Sequence, residues 1–260
     1  MKIILDLNKN LEANASDYYE KIKKLKKKLE GNKDALADSL AKLKRLKEEK
    51  EKIIKQLKEE KEIKTEKKEW YEKFRWFISS DNFLVIGGRD ATSNEIIIKK
   101  HAEKSDLILH TDMIGSPFFV IKSDNKKIPQ KTIRQAADAT VTFSRAFKLG
   151  FSSTRTFLAK PEQLTKEAPS GEYVPKGGFI TKGKLEYVDN KINIAIGIYK
   201  NKIMAGPIEA IKTHCKNYIQ LERGNDKPGK IAKIIANKLN YKNLDDVIRA
   251  LPSGNLKVKK

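Results

Sequence analysis

The stretch from residue 12 to residue 68 contains no proline and a single glycine, Gly31, in a dense field of Lys, Glu and Leu. Such a composition favours helix over sheet. Leucine or isoleucine recurs at Ile22, Leu25, Leu29, Leu36, Leu40, Leu43, Leu46, Ile53 and Leu57, mostly three or four residues apart. This is the heptad-like seam of an amphipathic helix that seeks another helix. Gly31-Asn32 interrupts the seam with a pair suited to a helix C-terminus, and Asp34 can cap a second helix. Residues 1–68 are therefore expected to form a coiled-coil arm folded as a helical hairpin. One long kinked helix is the alternative, because Leu29 and Leu36 stay in register across the gap.

From Trp70 the texture changes to short apolar runs separated by turn residues. Phe74, Trp76 and Ile78 alternate as on a half-buried strand. Further strands are expected over 83–86, 95–98, 106–110 and 118–121, with Asp81-Asn82, Gly87-Gly88 and Asp124-Asn125 in the turns. Pro129 should open a helix that runs to about Lys148 and is closed by Gly150. Strands are then expected over 154–159, 178–182, 192–199, 202–204 and 212–221, and helices over 228–239 and 244–251. Residues 69–260 thus predict an α+β domain with a mainly antiparallel sheet, large enough to bury a single core.

Lys and Arg number 55 against 34 acidic residues, a formal net charge of +21. Residues 1–68 carry a net +7 and residues 69–260 a net +14. An excess of that size repels itself unless a polyanion neutralises it, and nucleic acid is the default polyanion. Cys215 is the only cysteine, so no disulfide framework can form. The longest apolar runs are too short to cross a bilayer, and the first residues lack a signal architecture, so a cytoplasmic protein without membrane partners is expected. Nothing has metal-ligand spacing, no Gly-Lys-Ser/Thr follows a glycine-rich loop, and no nucleophile sits beside a base. Neither catalysis, metal nor cofactor is expected.

One run is not generic: Lys73-Phe-Arg-Trp-Phe-Ile-Ser-Ser-Asp-Asn-Phe-Leu-Val-Ile-Gly-Gly-Arg-Asp-Ala-Thr-Ser-Asn-Glu95. It resembles the opening of the NFACT-R domain of the NFACT family of ribosome-associated quality-control factors. His110-Thr-Asp112 with Gly115, Ser144-Arg145-Ala146-Phe147, Ala168-Pro-Ser-Gly-Glu-Tyr173 and Lys182-Gly183-Lys184 agree with it. Asn14-Ala15 and Tyr18-Tyr19, leading into a Lys-rich helix, resemble the family's middle coiled coil. The resemblance implies binding to the large ribosomal subunit left holding a stalled nascent chain on tRNA. It also implies that tailing of that chain needs the family's N-terminal domain, which has no counterpart in this sequence. A separate polypeptide carrying that domain is a candidate partner for the arm and for residues 5–11, and a ribosomal stalk protein is another. Ile114 stands where many relatives carry a second histidine, so a paired-histidine role does not transfer.

The candidate RNA-binding residues each have a second reading. Gly87-Gly88-Arg89-Asp90 can cradle a phosphate, or form a tight turn with an Arg–Asp pair. Arg145, placed late in the Pro129 helix, can clamp a phosphate or merely face the helix dipole. Tyr173, beside Lys176, Lys182 and Lys184, offers a base a stacking surface or is simply buried. Lys230 and Lys233 on the closing helix contact RNA or form a solvated face. Within the arm, Lys23, Lys24, Lys27 and Lys28 belong to a cluster of six lysines in eight residues and are the expected ribosome contacts. Two other functions compete with RNA binding. One is a coiled-coil adaptor without direct RNA contact, and the other a hydrolase using Asp90, His110 and Asp112.

Overall fold

Residues 3–63, 69–168 and 173–259 are described by the computed structural model. Its contacts divide into two units, Met1–Lys68 and Glu69–Lys260. In the first unit a single α-helix, α1 (Leu11–Ile63), runs for 53 residues, about 80 Å at 1.5 Å per residue. The hairpin expectation is corrected: Gly31 and Asn32 are helical. An interior glycine costs a helix only about 1 kcal/mol, and with no proline nearby nothing forces the chain to turn. Leu25, Leu29, Leu36, Leu40, Leu43 and Leu46 are exposed; the side chains of Ile53 and Leu57 lie outside the described residues.

Asn14 and Tyr18 organise the start of α1. The buried Asn14 amide accepts from the Asp6 N–H at 2.8 Å and donates to the Asp6, Lys9 and Asn10 carbonyls. The Tyr18 hydroxyl donates to the Ile4 carbonyl at 2.7 Å. Residues 4–10 are thereby folded back onto the first two turns of the helix. The Asn and Tyr of this segment are a clasp.

The second unit is α+β with antiparallel sheets. The strands β1 (Arg75–Ile78), β2 (Leu84–Gly87), β3 (Leu107–Thr111), β4 (Phe119–Ile121) and β5 (Thr156–Ala159) build most of the first sheet. Its order is β1-β2-β4-β3-β5-β8, where β8 is Glu186–Val188. A two-stranded ribbon, β6 (Leu164–Thr165) with β7 (Ile180–Thr181), branches off between β5 and β8. The second sheet has the order β10-β9-β11-β12, formed by β9 (Ile194–Tyr199), β10 (Lys202–Gly206), β11 (Tyr218–Asp226) and β12 (Leu256–Val258). The two sheets meet where β1 packs on β10. A Cβ on Gly206 would come within 2.8 Å of the Phe77 ring, so only glycine admits this approach. Phe74, Phe77, Phe119 and Phe147 anchor one continuous core.

Three segments depart from expectation. Residues 95–98 are helical: Asp90 caps α2 (Ala91–Ile96), which passes into a π-turn, Ile97–His101. A short β-branched run does not distinguish strand from buried helix, and the cap decides. The helix after Pro129 breaks at Phe143 into α3 (Gln130–Thr142) and α4 (Arg145–Leu149). The Ser144 hydroxyl causes the break by donating to the Val141 carbonyl at 2.7 Å and accepting from the Ala146 N–H at 3.1 Å. Finally, α5 (Ile208–His214) occupies the start of the expected 212–221 strand, entered through Pro207. His214 and Cys215 consequently end a helix rather than alternating on a strand. The chain closes with α6 (Pro228–Leu239), α7 (Leu244–Ala250) and β12.

A buried ion pair joins the start of β3 to the end of β4. Asp106 is fully buried and accepts from the Lys122 ammonium at 2.6 Å and from the Ser123 and Glu103 N–H groups at 2.8 Å each. Burial alone would lower the Lys122 pKa, but the hydrogen bonds from Asp106 and Glu103 hold it above its ordinary value. Replacing Lys122 by Met leaves a buried carboxylate without its cation and should cost about 3–5 kcal/mol in denaturant unfolding. A Lys122→Met, Asp106→Asn double variant should recover part of that loss; equal stability of wild type and single variant would contradict the pairing.

Candidate nucleic-acid interface

The Gly87-Gly88-Arg89-Asp90 turn has the composition of a phosphate cradle, but its backbone donors are spent within the fold. The Gly88 N–H donates to the Phe118 carbonyl at 3.0 Å. The Arg89 and Asp90 N–H groups both donate to the Ser93 hydroxyl, at 2.8 and 2.9 Å. The chain's own serine thus fills the place an anion would take. A Cβ on Gly87 would strike the Phe119 ring at 2.4 Å, and one on Gly88 the Asn94 side chain at 1.7 Å. These glycines permit close packing of β2 on β4 and α2. Asp90 accepts from the Ser93 N–H at 2.7 Å, and that bond, outweighing burial, holds its carboxyl below the ordinary range.

Arg89 is likewise engaged inside the fold. Its guanidinium donates to the carbonyls of Lys73 at 3.1 Å, Phe74 at 2.8 Å and Arg249. Burial lowers its pKa, and the nearby Arg249 adds to the effect. Arg75, beside it, donates to the Leu251 carbonyl at 3.0 Å and lies over the Phe143 ring at 4.5 Å. Burial, helped by Arg89, brings its pKa down to about 10. Two cations therefore serve the C-terminal carbonyls of α7 and its exit.

His110 and Asp112 do not form a working pair. His110 stacks on Phe118 with ring centroids 4.0 Å apart, and its Nε2 lies 3.2 Å from the Ser116 carbonyl. Burial pulls its pKa down to about 4. Asp112 faces Arg155 at 3.5 Å, which in turn lies over the Tyr187 ring. Cys215 is buried and its thiol is pushed up to about 11. Among the described residues no three His, Cys, Asp or Glu side chains gather as a metal site requires.

The remaining candidates are at the surface. Tyr173 is 84% exposed; the Ser170-Gly171-Glu172 turn before it lies outside the described residues. Lys176 is exposed and its charge reaches Asp90, while the neighbouring Gly177 abuts Ala91. The structure so brings Lys176 to the start of α2. Lys182 pairs with Glu167 at 3.2 Å, and Lys184 is exposed on the same ribbon. Lys230 pairs with Asp226 at 2.7 Å, and Lys233 is exposed without an ion pair among the described residues. Lys23, Lys24, Lys27 and Lys28 are all exposed on α1.

Arg145 is the first residue of α4, not near the end of a long helix, so the dipole reading of its charge falls away. It is exposed and makes no hydrogen bond or ion pair with the described residues. One turn on, Lys148 lines a cleft of about 490 Å³ together with Arg223, Gly224, Asn225, Gly254 and Asn255. Arg145 and Lys148, three residues apart, share a helix face. Sequence reading missed this cleft. The spacing of Arg145 and Lys148 was available, but Arg223 comes from β11 and Asn255 from the segment just before β12, and no local pattern pairs them with α4.

Residues 73–183 match the NFACT protein RNA binding domain. Over 205 residues the chain is 37% identical to the archaeal Rqc2 homolog aRqcH of Methanocaldococcus jannaschii, covering 76% of this chain and 30% of that one. It is 34% identical over 182 residues to the ribosome quality control complex subunit NEMF of Homo sapiens, covering 68% and 16%. The chain belongs to the NFACT family. It spans less than a third of the length of these relatives. A solved C-terminal part of the fibronectin/fibrinogen-binding protein of Streptococcus suis shares 21% identity over 45% of each chain, with a TM-score of 0.38.

Within the NFACT domain, the motif residues divide into side chains hydrogen-bonded within the fold (half-buried Arg89 and His110, and Asp90 as an exposed helix cap) and exposed groups that reach outward (Arg145, Tyr173, Lys176, Lys182). The division is measurable. Arg89→Lys should lower unfolding free energy by about 1–3 kcal/mol, since a lysine cannot reach three carbonyls, with RNA affinity per folded molecule unchanged. Arg145→Lys should leave stability within about 0.5 kcal/mol and weaken RNA binding. The reverse pattern would exchange their roles.

His110 gives a pH signature. At pH below 6.5 the unfolded chain protonates this imidazole, whereas the folded chain resists until about pH 4. The unfolded state then binds the extra proton, so stability falls as pH drops through that window, by roughly 3 kcal/mol in full. Urea titrations at pH 7.5 and 4.5 should show the loss, and His110→Gln should shrink it. An undiminished loss in that variant would assign it to other groups.

Proposed function

We propose that this chain is an RNA-binding module of ribosome-associated quality control. In this reading it docks on the large ribosomal subunit that carries a stalled nascent chain on tRNA, acts in the cytoplasm, and performs no chemistry of its own. The observation that carries it is the match of residues 73–183 to the NFACT protein RNA binding domain, joined to a net charge of +21. The names of the relatives, Rqc2 homolog and ribosome quality control complex subunit, support the setting. The exposed cations Arg145, Lys148 and Arg223, and the lysines of α1, supply sequence-independent affinity for phosphates.

A second reading rests on the exposed apolar stripe of α1 from Leu25 to Leu46. A stripe of that kind suits a partner helix, such as one from a stalk protein or from a separate polypeptide with the family's N-terminal domain. This reading makes the chain an adaptor whose charge serves solubility. Sucrose-gradient cosedimentation with ribosomal particles separates the two, because phosphate binding weakens steeply with salt.

Replacing Lys23, Lys24, Lys27 and Lys28 by Glu should lower ribosome affinity and leave the melting of the second unit unchanged. It should also flatten the log–log salt dependence by about one unit for each phosphate no longer bound. Unchanged affinity and slope would move the ribosome-binding surface off α1.

A further inference from the structure

The cleft beside α4 owes its form to two irregularities. Strand β11 slips register against β12 between Arg223 and Asp226, leaving Gly224 and Asn225 in a bulge. Bulges of this kind re-aim side chains. Gly150 ends α4 in the left-handed region at φ 84, and a Cβ there would fall 1.6 Å from Arg223 Nη1. The guanidinium thus lies against the end of α4. Opposite, a Cβ on Gly254 would come within 3.3 Å of the Lys148 backbone. Two glycines without side chains keep the space open between a helix end and a strand bulge. The lining holds two cations and two carboxamides, Asn225 and Asn255, and no carboxylate. Phe151 directly follows Gly150 and is 51% exposed.

We infer that this cleft seats one nucleotide of single-stranded RNA, with Arg223 and Lys148 on the phosphate and Phe151 against the base. The inference rests on the RNA-binding reading above and names a site for it. The chemistry selects the ligand. A guanidinium beside an ammonium suits a phosphodiester, carboxamides can donate to and accept from a base edge, and an exposed ring stacks only on an unpaired base. The volume suits a nucleotide-sized group. Arg223, Asn225, Gly254 and Asn255 lie beyond residues 73–183, so the site joins the family-matched segment to the C-terminal part of the unit.

The test is fluorescence anisotropy of a labelled single-stranded RNA about 12 nucleotides long, a span within the usual site sizes, and of its duplex, with the full chain. Phe151→Leu should weaken single-strand binding roughly fivefold or more and leave duplex binding unchanged. The Lys148→Ala, Arg223→Ala double variant should weaken it further and reduce the salt slope by about 0.7, the value for one single-strand phosphate contact. Arg223→Lys should bind worse than wild type despite its charge. Thermal unfolding of each variant, expected to match wild type because all three side chains are exposed, keeps affinity separate from folding. If wild type binds single strands and these variants bind as tightly with the same slope, the cleft assignment is overturned while the RNA-binding reading stands. Wild type that binds neither RNA nor ribosomal particles overturns both.

Discussion

Two arginines at the end of α7 hold the second unit together. A helix leaves its last carbonyls without intrahelical donors, and here Pro252 follows and can donate nothing. The Arg249 and Leu251 carbonyls are met instead by Arg89 and Arg75, both from the first sheet and its edge. The arrangement suits a helix C-terminus electrostatically. Since α7 packs on β10 and α6, the same contacts bind the second sheet to the first beside the β1–β10 junction. The most phosphate-like motif of the sequence therefore closes the fold, and binding falls to cations elsewhere.

Much of the architecture was legible because its determinants are local. The alternation around Trp76 gave β1, the Pro129 and Gly150 signals bounded the α3–α4 region, and the Pro228 start gave α6. The α+β class with antiparallel sheets rested on these. What failed depended on competition between local signals. Residues 95–98 carry three isoleucines that suit a strand, but Asp90 and Ser93 form a reciprocal cap that starts a helix first. Gly31-Asn32 has the composition of a left-handed stop, yet Gly31 is not among the glycines of positive φ and the helix runs on through it.

The site was legible only where one residue suffices. Arg145 and Tyr173 could be singled out and are exposed, whereas Arg89 was equally prominent and turned inward. The sequence pattern does not separate the two cases: Arg89 meets the Lys73 and Phe74 carbonyls across the β1–β2 hairpin and the Arg249 carbonyl of α7, 160 residues away in the chain. Asn14 and Tyr18 make the same point in the first unit, where two residues singled out in the sequence act as a clasp on the preceding segment.

The structure sorts the cations that a charge count treats alike. Arg75, Arg89 and Lys122 are internal, each hydrogen-bonded to carbonyls or carboxylates. Lys99, Lys182, Lys230 and Lys257 face Glu95, Glu167, Asp226 and Glu222 at the surface. Such exposed pairs add little stability, but they offset the local charge that a phosphate would meet. Arg145, Lys148 and Arg223 are among the exposed cations without an ion pair among the described residues, and they lie together on one short helix and beside the bulge next to it. Counterion release depends on charges free to replace ions around RNA. The affinity of this unit should therefore track the placement of its unpaired cations more closely than its total charge, and family resemblance at Arg89 and Asp90 reports the scaffold that sets that placement.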